Sequence, residues 1–174
     1  MIRFGASVFT CRFVRLSIPS SDGGGISLAL RGESVAAFHD RCFAALKDLG
    51  IEADICEKPN EILDAIPLAS DETHCTYDPE FANRFWRILL QADRMMKRFR
   101  SDFLGKVSPV HYFWGSNDLA VTRFSGRRAP EHPGGVPNLP DLVAKEAYSH
   151  EVSSCGFWPG NELFPEAAFY RHLD

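Results

Sequence analysis

The run YDPEFANRFWRILLQADRMMKRFRSDF, from Tyr77 to Phe103, constrains this chain more than any other stretch. Phe81, Phe85, Ile88, Leu89, Ala92, Met96 and Phe99 recur at three- and four-residue intervals, the spacing of one helix face. Asp78 stands where a carboxylate can accept the first unpaired amide N–H groups. Pro79 takes the first helical position, where its missing N–H costs nothing. The pattern predicts a helix over 78–103, and an apolar stripe that long must lie against other elements. The opposite face holds Arg84, Arg87, Gln91, Arg94 and Arg98, a row suited to phosphates or an acidic partner. Residues 52–72 carry Glu52, Asp54, Glu57, Glu61, Asp64, Asp71 and Glu72, so charge neutralisation within the fold is the competing expectation.

Before that helix, Val8, Thr10, Arg12, Val14, Leu16 and Ile18 alternate with Phe9, Cys11 and Phe13, which predicts a strand. SSDGGG then turns the chain into ISLAL as a hairpin. The triple glycine lacks a following G-K-[ST] and reads as a plain turn, not a phosphate loop. Val35, Phe38, Cys42, Leu46 and Leu49 predict a helix over 35–49, capped by Ser34 and ended by Gly50. IEADI reads as a short strand, and 57–74 as loop with at most one helical turn. After the long helix, VSPVHYFW and LAVTRF flank GSND as a second hairpin. SGRRAPEHPGGVPNLP is an irregular loop, a short helix fits 139–147, and YSHEVSSCGFWPG reads as a last strand. Together these elements predict an α+β fold in one domain over residues 1–174. Its mainly antiparallel sheet is built from hairpins, and the two principal helices pack on it.

The chain has 174 residues, 45% of them hydrophobic, enough for a core without disulfide or metal staples. A formal charge of −4 argues against general nucleic-acid binding. No apolar run approaches the roughly 20 residues of a membrane-spanning helix. Cys11, Cys42, Cys56, Cys75 and Cys155 stand singly, which fits reduced thiols in a cytoplasm.

Candidate chemistry centres on the second hairpin. With 115–118 as the turn, Trp114 would face Leu119 and His111 would face Thr122. His111, Phe113, Ala120, Thr122 and Phe124 then share one face, and Tyr112, Trp114, Val121 and Arg123 share the other. Neither face is cleanly polar, so both should be covered, and His111 and Arg123 need partners. Asp118 fits the turn itself. His150 shares its face with Tyr148 and Val152. A pocket of His111, His150, Arg123 and Asp118, walled by Trp114, Tyr112 and Trp158, would bind a small molecule or anion. A histidine would move the proton and Arg123 would hold a carboxylate or phosphate.

Two other readings stand beside it. One is a metal-dependent protein using His74, His111 and His150 or Glu151, although no short histidine spacing supports it. The other is an interaction domain whose arginine face docks an acidic partner. Cys155 reads as a buried thiol rather than a nucleophile; no G-x-S-x-G elbow or G-x-G-x-x-G loop is present, and no cofactor is assigned.

The stretch from Thr73 to Gly160, with SPVHYFWGS, DLAVTRFSGRRAP and YSHEVSSCGFWPG, resembles an uncharacterised bacterial family, domain of unknown function family 5996. The likeness is looser over residues 8–67. It implies no assigned activity and no catalytic residues. Members of that family are longer at both ends, so an open edge here would favour self-association, as in a homodimer.

Overall fold

The computed structural model describes residues 8–10, 14–59, 62, 64–136 and 139–173. The chain divides into two compact units, Met1–Trp86 and Arg87–Asp174. The fold is α+β with antiparallel sheets, as the patterning predicts, but the two hairpins build two separate sheets rather than one.

In the first unit, β1 (Val8–Thr10), β2 (Arg15–Pro19) and β3 (Gly25–Ala29) form an antiparallel sheet in that order. The alternating run over 8–18 is therefore two strands. Val14, at φ 52, takes a left-handed turn conformation that a continuous strand excludes. Arg12 and Cys11 lie outside the described residues. Between β2 and β3, Gly23 at φ 89 makes the expected turn, and its amide donates to the Ser20 carbonyl at 3.1 Å.

Leu16 and Ile18 pair with Leu28 and Ile26 across the strands. They share one apolar cluster with Ala45, Phe38, Cys42 and Leu46 of α1 (Val35–Asp48). The Ser34 side chain accepts from the Ala37 amide at 3.2 Å, so the predicted cap is in place. IEADI is not a strand: residues 51–55 have no regular structure, because three alternating apolar residues without a partner edge cannot hold an extended ladder. A single 3-10 turn, Leu68–Ser70, follows.

The long helix, α2 (Pro79–Ser101), begins as predicted, with the Asp78 carboxylate accepting from the amides of Glu80 at 2.7 Å and Phe81 at 3.2 Å. Its residues 87–101 belong to the second unit. There a four-stranded antiparallel sheet runs β4 (His111–Phe113), β5 (Asp118–Arg128), β6 (His150–Trp158), β7 (Ala168–Leu173), with α3 (Asp141–Ala147) between β5 and β6 in sequence. Strand β7 was not apparent in the sequence pattern.

Met96, only 1% exposed, meets Cys155 at 3.2 Å, so this part of α2 covers the sheet face of Val121, Arg123 and Cys155. In the β4–β5 hairpin His111 pairs with Ala120 and Phe113 with Asp118, two residues from the expected register. With Asn117 at φ 58 the four-residue turn is shifted by one, to 114–117, and Asp118 stands in the strand instead of the turn. A two-residue shift keeps each side chain on its face, so the face assignment survives while the opposing partners change.

Candidate functional site

The hairpin residues separate. His111 is exposed, against the expectation that both faces are covered, and its ring meets Phe113 edge-on at 4.8 Å. His150 lies six residues along β6 from Gly156, which faces Ala120 opposite His111, so the two histidines stand about 20 Å apart. The His150 Nδ1 is 3.1 Å from the Ser149 hydroxyl, and Glu151 pairs with Arg127 at 2.5 Å.

Arg123 is on the opposite face. Its guanidinium lies 3.6 Å from the Phe99 ring centroid and donates to the Phe99 carbonyl. Its Nε is buried without a hydrogen-bond partner, and the facing π cloud offsets part of that cost.

Asp118, Tyr112 and Trp158 do gather around the 114–117 turn. The buried Asp118 carboxylate accepts from the Ser116 and Tyr170 hydroxyls. The Tyr112 hydroxyl donates to Asn117 at 2.7 Å, and the Trp158 indole N–H donates to the Ser116 carbonyl at 3.1 Å. Trp114, beside them, is exposed. Burial, then the adjacent Asp118 charge, push both the Tyr112 and the Tyr170 phenols above their ordinary range. These contacts give each Asp118 oxygen a donor within the fold and tie down the turn.

A different arrangement has the character of a site. At the N-terminus of α1 a cavity of about 300 Å³ is lined by Leu30, Val35 and Phe38 and by Arg31, Glu33, Ser34, His74, Cys75, Thr76 and Tyr77. The loop that forms one wall is docked by the helix itself. The free amides of Val35 and Ala36 donate to the carbonyls of His74 and Asp71, each at 3.0 Å.

The Asp71 carboxylate closes that loop. One oxygen accepts from the amides of Thr73 and His74, each at 3.1 Å, and the other lies 2.7 Å from His74 Nδ1. Asp71 is 6% exposed, whereas the His74 side chain is 70% exposed. Burial works to raise the Asp71 pKa, but the amide and imidazole of His74 and the amide of Thr73 outweigh it, and the net shift is downward.

An ionised carboxylate only accepts, so Nδ1 carries the hydrogen, and in the neutral form of the ring the lone pair is on Nε2. A carboxylate that fixes the tautomer of an exposed imidazole beside a cavity is the arrangement of a general base with its orienting group. The rim is charged as well. Glu33 pairs with Arg41 and, at 3.1 Å, with Arg31 Nε, which leaves the Nη edge of the exposed Arg31 for a ligand oxygen. Among the described residues no three His, Cys, Asp or Glu side chains group as metal ligands.

Of this set only His74 was a sequence candidate, and then as a metal ligand. Asp71 was hidden among the carboxylates of 52–72. Its signal was the DETH spacing, in which an aspartate caps the amides two and three residues on and meets a histidine at the same distance.

The family comparison agrees with the sequence resemblance. Residues 6–173 match the model of a family of unknown function, DUF5996, and the chain belongs to that family. No curated protein and no solved structure matches it. No helix among the described residues is long and apolar enough to cross a membrane.

Proposed function

We propose that this member of the family binds a small anionic molecule in the cavity at the start of α1, with His74 as the proton-transfer group and Arg31 as the anion grip. The observation that carries the reading is the buried Asp71 carboxylate 2.7 Å from Nδ1 of an exposed imidazole on the cavity wall. The role is the one expected of a hairpin histidine, transferred to a residue whose orienting partner and cavity are both present. Leu30, Val35 and Phe38 give the cavity an apolar floor for the ligand's carbon skeleton. The unpaired thiols of Cys42, Cys56, Cys75 and Cys155 support a reducing, cytoplasmic setting.

The test is a thermal-shift screen with inorganic phosphate, nucleotides and short mono- and dicarboxylates. A ligand of the folded state raises the melting temperature by mass action. At least one anion is expected to raise it in the parent, with the effect lost in Arg31→Ala and reduced in His74→Ala. A shift that survives both substitutions, or no shift from any anion, overturns the reading. His111→Ala and His150→Ala serve as controls and are expected to keep it.

A further inference from the structure

The arginine row of α2 spends only part of its charge within the helix. Arg84 takes Glu80 four residues earlier, and Lys97 takes Asp93. Arg87, Arg94 and Arg98 are exposed, and among the described residues none of them makes an ion pair; Arg94 reaches only the Gln91 side-chain oxygen, at 3.2 Å. From Arg87 to Arg98 the face runs about 16 Å, flanked by exposed Ile88 and Met95.

The acidic segment has the converse character. Glu52, Asp54, Asp64 and Glu72 are exposed, and among the described residues they too make no ion pair. Ile55, Ile62 and Ile66 are exposed among them. Asp71 and Glu57 are occupied locally, and Glu61 lies outside the described residues.

We infer that the occupant of the arginine face is the acidic segment 52–72 of a second copy of this chain. Each surface combines an excess of unpaired charge of one sign with exposed aliphatic side chains, Lys58 being the one cation in the acidic segment, and each therefore offers what the other lacks. The net charge of −4 disfavours nucleic acid as the alternative. Exposed isoleucine and methionine beside arginine match the make-up of protein interfaces. Two arginine faces would repel, so each arginine face meets an acidic segment, either reciprocally across a twofold axis or head to tail. The reciprocal contact closes as a dimer, and the head-to-tail one closes into a ring or grows into a chain.

Sedimentation velocity on the full chain across a concentration series, at low and high salt, tests this. The parent is expected to associate at low salt and dissociate roughly tenfold or more readily at high salt, as screened ion pairs do. Arg87→Glu/Arg94→Glu/Arg98→Glu and Glu52→Lys/Asp54→Lys/Glu72→Lys should each be monomeric, with circular dichroism like the parent's. Mixed together they should associate again, because one brings an intact acidic segment, the other an intact arginine face, and the two reversed surfaces also complement each other. A parent that stays monomeric, association that survives in either variant, or a mixture that stays monomeric while the parent associates overturns the inference.

Discussion

At Asp71 the balance of burial against hydrogen bonding sets both stability and chemistry. The folded pKa lies below the ordinary 3.8, because the amide and ring of His74 and the amide of Thr73 hold the charged form against burial. A group depressed on folding contributes stability that is present above its unfolded pKa and lost as the pH falls through the folded one. Urea midpoints of the parent and Asp71→Asn should therefore differ most near neutrality and converge below about pH 4. A gap that stays constant with pH would mean that Asp71 acts through shape rather than charge. The same variant should disturb the His74 tautomer, read from imidazole nitrogen shifts. Arg123 makes the opposite prediction. Its guanidinium is committed to the Phe99 ring and carbonyl, so Arg123→Lys should cost about 1–2 kcal/mol in chemical denaturation. It should leave any ligand-induced shift at the Asp71–His74 cavity intact.

At the scale of elements, the four-stranded sheet turns on a glycine. Gly156 pairs with Ala120 on one side and Tyr170 on the other, and the Tyr170 ring lies across its bare Cα. A Cβ on Gly156 would sit 2.3 Å from that ring. The phenol is pinned there by Asp118, so the ring cannot simply swing away. Gly156→Ala should destabilise by about 1–3 kcal/mol, and most of that loss should vanish in a Tyr170→Ala background. Equal costs in both backgrounds would show that the glycine is needed for its backbone and not for the ring. This device explains what the sequence could and could not reveal about the sheet. The helices were legible because periodicity and caps are local: Ser34 and Asp78 announce their own helix starts. Strand β7 was not, because Ala168, Tyr170 and His172 alternate with Phe169, Arg171 and Leu173, and neither set is cleanly apolar. The bare Cα of Gly156 under the Tyr170 ring, with the neighbouring Phe157–Phe169 ring pair, fits that strand to its register. Asp118 misled for a related reason. An aspartate after Ser-Asn suits a turn by local chemistry, and the partner that draws it into the strand is 52 residues away.

Across the whole molecule, what the sequence left hidden is long-range pairing, and the cysteines give a way to read it. Cys56 and Cys75 are exposed, whereas Cys42 and Cys155 are partly buried. Burial pushes the Cys42 and Cys155 thiols up, offset in part by Arg41 at the first and by Arg123 and Arg171 at the second. The thiolate is the reactive form, so both should be slow at neutral pH. Alkylation of the native protein followed by peptide mass spectrometry should therefore give Cys56 and Cys75 as a fast class and Cys42 and Cys155 as a slow one. The fast pair then separates the cavity from the rest of the surface, because Cys75 lines the cavity and Cys56 does not. An anion that raises the melting temperature should slow labelling at Cys75 several-fold and leave Cys56 unchanged. Arg31→Ala should abolish that protection. Equal protection of both cysteines would mean that the anion stabilises the fold generally, and protection of neither would place its binding site away from His74.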